Sequence, residues 1–401
     1  MRKPNIKVNN VEFFRSTCAK RRNFAEKQNR INKKMKGITN LRLKLRDRFE
    51  RVYTEDLVRI SRVRRAKQIF PLKEPQSLPL TDEQKKEISS YWKQYRNVDG
   101  LMHWFAFYNA SCKDKSKLKY YVPDGVYFSE IDTVFTSPRR SEQLDDKNLY
   151  DLFFKGVKMP RTVMRIQQGE LFDGDYQLIT LDQAVELCRE AGQVVCKVTR
   201  DSAGGHGVYF FDFPDTSVED FKQWLIEHKN IDINVQEVIQ QHESLNKIHA
   251  SSINSIRIMS LLLDGKVHIL SSILRMGING TRVDNASSGG IMSGVSIDGQ
   301  LGEYAYDERG NRWSVHPQGT VFKDTKIVGV DKCCDVIRSV AGRMCSASKL
   351  ISWDFTVGPD GEPILIEVNL TYGGVVIHQL CNGPIFGDMT DEMLTRIYKK
   401  K

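Results

Sequence analysis

The stretch WDFTVGPDGEPILIEVN, Trp353 to Asn369, decides how this chain is read. Two apolar runs flank Gly358-Pro359-Asp360-Gly361, which predicts a β-hairpin. Asp354 stands on the first strand, and Glu367 and Asn369 on the second. Residues 367 and 369 are two apart, so they share one face of their strand, and Asp354 can meet them across the hairpin. Carboxylates set among Ile, Leu and Val need a reason to be there, because unpaired burial is costly. One reason is a set of N–H or arginine partners. The other is a cation. Two carboxylates and an amide oxygen are hard donors that suit Mg²⁺, which takes nucleotide phosphates and waters as its other ligands. No His or Cys joins the set, which argues against zinc.

Upstream, KVTRDSAGGHGVYFF, Lys197 to Phe211, sets a lysine on an apolar run ahead of a glycine-rich loop and a second apolar run. Gly204, Gly205 and Gly207 let backbone N–H groups come close to an anion, and Ser202 adds a hydroxyl. Lys197 is a point charge suited to a phosphate. The loop lacks the GK[ST] ending of a Walker A motif, and a strand rather than a helix follows it. By itself it fits a plain hairpin as well as a phosphate flap.

Between and around these stretches the pattern alternates helices with hairpins. Thr81 and Thr180 each open a capping box, with Gln84 and Gln183 three residues on. LMHWFAFYN, 101–109, reads as core, residues 120–150 as loop-rich, and 146–163 as a short helix, a stop at Gly156 and a strand after Pro160. Strands are expected at 193–199, 207–213 and 234–240, with a helix over VEDFKQWLIEH. Asp264-Gly265 is a favoured two-residue turn between SIRIMSLLL and KVHILSSILRM. A helix is expected over 331–347. Interspersed helices and hairpins define an α+β chain with antiparallel pairing.

The 401 residues are 40% hydrophobic and 27% charged, the composition of an ordinary globular chain. No apolar run reaches the roughly 20 residues of a membrane helix. MRKPNIKVNN is basic without a following apolar segment, so no secretory signal is expected. The eight cysteines make no CxxC and no Cys/His zinc spacing, which suggests a reducing, cytoplasmic setting. The vicinal Cys333-Cys334 reads as helix packing in preference to a redox pair. The net charge of +10 is uneven: residues 1–70 carry 22 Lys+Arg against 6 Asp+Glu, and the rest of the chain is mildly acidic. Leu41, Leu45, Phe49, Val52, Leu57 and Ile60 recur at helical spacing among these basic residues. The arm therefore reads as a basic amphipathic helix. Its partner would be the body of the protein, an anionic membrane surface at the inner face or an acidic polymer. Nucleic acid ranks last, because few aromatics interleave with the basic residues. Oligomeric state leaves no trace in the sequence.

Taken together, DKNLYDLFF, VVCKVTRDSAGGHGV, VQEVIQQH, SINSIRIMSLLLDGKVHILSSILRMG, VDNASSGGI and ISWDFTVGPDGEPILIEVN resemble the ATP-grasp ligases in kind and order. They span about 146–374. The sequence is most similar to the sugar-transfer-associated ATP-grasp group of polysaccharide biosynthesis, and more distantly to the ribosomal-protein glutamate ligases. The resemblance implies an ATP-grasp fold, two α+β subdomains gripping ATP. It divides the chain into a basic helical arm (1–70), a preceding helical region (71–165), a subdomain with the flap (166–242) and a subdomain with the metal site (243–401).

The same resemblance implies roles. Lys147 and Lys197 match the nucleotide-phosphate lysines; Ser202, Gly204, Gly205 and Gly207 match the flap. Gln236, Glu237 and Ile239 fall on the adenine-reading hinge, with His242 and Glu243 where ribose is met. Arg257, Arg275 and Asn285 match groups that steady the transferring phosphate. Asp354, Glu367 and Asn369 match the metal ligands, and Gly373-Gly374 a place where backbone nears substrate. The chain departs from the common pattern at Val198, His206 and Gln236. The cofactors implied are ATP and Mg²⁺, with Mn²⁺ as a substitute. The activity implied is an ADP-forming ligation of a small or sugar-linked carboxylate to an amine through an acyl phosphate. The alternatives are an ATP-grasp kinase acting on an alcohol and a non-catalytic nucleotide-binding module. His206, His242, His316 and His378 are the candidate bases toward the amine, each with a structural role as the competing reading.

Overall fold

The computed structural model describes residues 75–399 except 201–206, 214, 283, 285–288 and 372, together with six positions between 41 and 49. The chain divides into two units, Met1–Val58 and Arg59–Lys401. In the first, the six described positions are helical, in line with the amphipathic pattern there; the rest of the arm lies outside the described residues.

In the second unit, Thr81 accepts from the backbone of Gln84 while Gln84 reaches back to Thr81, and this reciprocal cap starts α1 (Asp82–Trp92). The aromatic run 101–109 forms α2 (Met102–Asn109), with Trp104, Phe105, Phe107 and Tyr108 buried. Residues 120–150 are not the loop that their composition suggested. They form successive short helical pieces, Asp124–Val126, Tyr127–Ile131, Asp132–Phe135 and Pro138–Leu144. Val126, Tyr127 and Ile131 turn into the core there, so tertiary burial stabilises turns too short to show a periodic pattern.

The first sheet holds β1 (Thr162–Gln167), β2 (Glu170–Asp173), β3 (Gln193–Val198), β4 (Val208–Asp212) and β5 (Ile233–Glu237), in the order β2-β1-β5-β3-β4. All its pairings are antiparallel. Thr180 caps α3 (Leu181–Ala191) by a second reciprocal box, and α3 ends at Gly192 with φ 76°, a conformation that favours glycine. Helix α4 (Val218–His228) joins α3 against this sheet, around Phe221, Leu225, Val185 and Cys188.

The second sheet has seven strands, in the order β10-β9-β8-β7-β6-β11-β12. They are β6 (Ser255–Leu263), β7 (Lys266–Met276), β8 (Ile291–Val295), β9 (Leu301–Tyr306), β10 (Arg312–Trp313), β11 (Leu350–Val357) and β12 (Pro363–Asn369). Asp264 and Gly265 both take positive φ in the β6–β7 turn, as an Asp-Gly two-residue hairpin requires. One face packs on α5 (Val330–Val340), where Cys333 and Cys334 are buried, consistent with the packing role. The other meets α1, α2, α6 (Val376–Asn382) and α7 (Thr390–Tyr398). The seven described cysteines are unpaired thiols. Among the described residues no helix is long and apolar enough to cross a membrane.

Candidate active site

The site grows from the alternation of β11. Ile351, Trp353, Phe355 and Val357 point into the core beneath α5. Ser352, Asp354 and Thr356 must therefore point to the opposite face. β6 alternates likewise: Ile256 and Ile258 enter the same core, and Arg257 faces away from it. Asp354 lies opposite Arg257 on one side and Glu367 on the other. Asp354, Glu367 and Asn369 thus meet as the hairpin pattern predicts, with Asn369 Nδ2 3.4 Å from Asp354 Oδ2.

Cations surround these carboxylates. Arg257 donates to Asp354 from Nε and a terminal nitrogen, at 2.7 and 2.6 Å. Arg275, on β7, donates to the same carboxylate at 3.1 Å. Burial alone would push the Asp354 carboxyl up, but Arg257 and then Arg275 hold it below the usual range. Lys147 Nζ lies 3.0 Å from Glu367 Oε1. Lys197, on β3, donates to Gln236 Oε1 at 2.9 Å. Burial lowers the Lys197 ammonium to about 8, against the pull of Glu367 and with added repulsion from Lys147. Lys147, Lys197, Gln236, Arg257, Arg275, Asp354, Glu367 and Asn369 form one charged cluster spanning both sheets.

A fixed platform carries Lys147. Asp146 caps the turn Lys147–Leu149 and accepts 2.8 and 3.1 Å bonds from Arg200. Asn148 donates to the Ile166 carbonyl and accepts from Asn234, which ties the turn to β1 and β5. Arg165 is 0% exposed, pairs with Asp151, donates to the carbonyls of Asn148, Asp173 and Gly174, and stacks on Tyr176. Tyr150 donates to the Val368 carbonyl, next to Glu367.

The remaining expected positions are less concentrated. Glu237 ends β5 and pairs with Arg161 at 2.5 Å. Ile239 is half-buried just beyond that strand. Glu243 is exposed and pairs with Lys247 at 2.8 Å. Gly207 has φ 73° and closes the β3–β4 connection by accepting from Val198 N–H. Ser202, Gly204, Gly205, His206 and Asn285 lie outside the described residues. The close neighbour of Gly373 is the Ser352 side chain, which would sit 2.6 Å from an added Cβ. His242 caps the turn Glu243–Asn246. His316 bonds the Gly277 carbonyl and accepts from Gln318 N–H, a wholly structural pattern. His378 is buried and bonds Ser271; burial, then the field of Arg257, lowers its ring to about 3, so it stays neutral.

Three contributors escaped the sequence reading. Asp284 accepts from both the backbone and the hydroxyl of Ser255 and lies 3.6 Å from Arg275. Its only signal was its place beside Asn285. Asp146 and Arg200, and the Ser271–His378 contact, join residues far apart in the chain. No local pattern marks them.

The donor set fits a hard divalent cation. Two carboxylates and an amide converge on one face, and none is a soft ligand. In their present pairing the counter-charges are Lys147, Arg257 and Arg275, groups equally able to turn to phosphate oxygens.

Two antiparallel sheets that bring lysines, arginines and an Asp/Glu/Asn set to one cluster are the arrangement of the ATP-grasp fold. Residues 132–392 match the family described as sugar-transfer associated ATP-grasp. This chain belongs to that family. Among solved structures it is similar to D-alanyl-alanine synthetase A from Vibrio cholerae O1 biovar eltor str. N16961. The identity is 16%, covering 66% of this chain and 68% of that one, with TM-score 0.40. It is also similar to the ATP-grasp ligase PsnB complexed with precursor peptide PsnA2 and AMPPNP. There the identity is 12%, over 66% and 62% of the two chains, with TM-score 0.39. Biotin carboxylase from Campylobacter jejuni is 13% identical over 67% and 49%, with TM-score 0.40. No curated protein matches the sequence.

Proposed function

We propose that this chain is an ATP-dependent carboxylate–amine ligase that works through an acyl phosphate on a sugar-linked or small-molecule substrate of glycoconjugate synthesis. The observation that carries the reading is the Asp354–Glu367 pair across β11 and β12, ringed by Lys147, Lys197, Arg257 and Arg275. A pure binding module gains little from two carboxylates and an amide converging among four phosphate-seeking cations.

Asp354, Glu367 and Asn369 would hold Mg²⁺, which when bound would supply positive charge to the nucleotide phosphates. Lys147 and Lys197 would take phosphate oxygens as the nucleotide displaces their present partners. A substrate carboxylate oxygen attacks the γ-phosphorus, the bond to the β-phosphate oxygen breaks, and ADP leaves. Arg257 and Arg275, released in part from Asp354, offset the charge on the transferred group. An amine then attacks the acyl carbon, the C–O bond breaks with phosphate as the leaving group, and the nitrogen gives its proton to water. The protein supplies position and charge, and no side-chain nucleophile is needed. His378 is neutral but buried, so it positions Ser271 and does not meet the amine.

Calorimetric titration of MgATP into the protein and into Glu367→Ala tests the nucleotide site; binding that weakens sharply in the variant supports it. With candidate carboxylates present, hydroxylamine trapping then separates ligase from kinase, since only an acyl phosphate yields a hydroxamate. An ATP-consuming reaction without hydroxamate sinks the ligase reading.

A further inference from the structure

The two sheets also meet away from the carboxylates. Arg282 follows β7 in the chain, and its guanidinium lies 4.4 Å from the centre of the Phe210 ring on β4. Strand β4 belongs to the first sheet and β7 to the second, so the contact joins them. Strand alternation fixes the side of β4 on which it falls. Tyr209 and Phe211 turn their rings to Phe221, Trp224 and His228 of α4, on the helix-covered side. Phe210 therefore faces the other way. It pairs with Val195 across the ladder, and Val208 pairs with Lys197, so Phe210 shares a face with Lys197. Lys197 in turn bonds Gln236. Arg282 thus reaches from the second sheet onto the face of the first that carries Lys197 and Gln236.

We propose that Arg282 and Phe210 brace the two sheets across the nucleotide site, which makes Arg282 a positioning residue for phosphoryl transfer; the proposal rests on the reading above. Each end of the contact is a short step from a phosphate-seeking cation. Phe210 is tied to Lys197 through the β3–β4 ladder. Arg282 stands two residues before Asp284. Asp284 accepts from the Ser255 backbone and hydroxyl and lies 3.6 Å from Arg275. The brace therefore sets Lys197 against Arg275, two cations from separate sheets that must address one triphosphate.

The chemistry of the pair suits that task. Lys147 and Glu367 also link distant segments, at 3.0 Å, but phosphate and metal would claim both groups. A guanidinium over a ring offers no oxygen to a hard cation, so Mg²⁺ does not compete for it. Arg282 is exposed and Phe210 half-buried, which keeps the attraction weak. Such a contact orients two sheets without locking them.

The test has two arms, both on the full chain. Hydrogen exchange read by mass spectrometry, without nucleotide, compares wild type, Arg282→Ala and Phe210→Ala. A brace predicts reciprocal effects: faster exchange in β4 for Arg282→Ala, and faster exchange at the end of β7 for Phe210→Ala. Calorimetric titration of MgATP should then show binding about two- to fivefold weaker in either variant, with little further loss in the double variant. Phe210→Leu should fall with Phe210→Ala, whereas Phe210→Tyr and Arg282→Lys should keep most of the affinity, because the attraction needs a ring and a cation. Exchange effects confined to each variant's own segment, additive losses in the double variant, or full affinity in Phe210→Leu overturns the proposal. A wild type that binds no MgATP overturns the nucleotide reading instead, and the exchange arm still decides whether the brace exists.

Discussion

Arg257 and Asp354 sit opposite each other on neighbouring antiparallel strands and join through two parallel hydrogen bonds. The Asp354 side chain is 4% exposed, so the pair is a buried one. Truncating Arg257 leaves the Asp354 carboxylate buried with Arg275 and Asn369 as its remaining partners. Because Arg275 still faces Asp354, Arg257→Met is expected to lose less than the roughly 3–5 kcal/mol of an uncompensated buried charge, and replacing both residues by apolar ones of similar volume less again. Urea denaturation of Arg257→Met, Asp354→Leu and the double variant measures this; additive losses would show that the pair is not coupled.

Cations already occupy the carboxylates that a metal would need. Metal alone should therefore bind weakly, because it must displace Lys147 from Glu367 and two arginines from Asp354. A nucleotide offers those cations new partners. Mn²⁺ titration followed by electron paramagnetic resonance should show affinity rising steeply when ATP is added. Lys147→Ala should strengthen metal binding in the absence of nucleotide. Equal metal affinity with and without ATP would contradict the exchange.

Lys197 connects pH to both stability and binding. Its ammonium falls from 10.5 to about 8 on folding. Between those values the unfolded chain binds more protons, so stability should rise with pH across the window relative to Lys197→Met. Below about 8 the cost of its burial is fully present. An arriving phosphate favours the charged form, so nucleotide binding near pH 8 should take up a proton. Calorimetry in buffers of different ionisation enthalpy reads that proton directly, and Lys197→Met should abolish it. The same wild-type and variant protonation balance would remove the lysine from the phosphate site.

Gly299 turns the chain between β8 and β9 with φ 90°, and an added Cβ would lie 1.8 Å from the Ile327 carbonyl oxygen. Both conformation and space exclude a side chain there. Gly299→Ala should cost more than the roughly 1 kcal/mol typical of an ordinary glycine replacement. Thermal melting of the variant beside Gly265→Ala, whose added Cβ meets open space, separates clash from conformational strain.

Much of the fold was legible where structure is local. Thr81 and Thr180 predicted their caps, Asp264-Gly265 its turn, and the two apolar runs around Gly358 their hairpin. The meander β8–β10 and the strand β2 do not show in the pattern, because β2, β9 and β10 are short and half-exposed and the fully buried β8 has no alternation. The pieces between 124 and 144 were missed for a related reason: burial by distant partners, not periodicity, makes them helical.

For the site, local pattern is enough to name the residue types that come together. The i and i+2 spacing of Glu367 and Asn369 and the hairpin that returns to Asp354 are local facts, and so is the order of lysine, glycine-rich stretch and arginines. The pairings come from the assembled fold. That Arg257 and Arg275 both clasp Asp354, that Lys147 lies on Glu367, and that Asp284 backs Arg275 depend on strand order and register between segments many residues apart. Such contacts obey no sequence period. They arise where strand alternation turns polar side chains away from one core and strand order brings those of distant segments together.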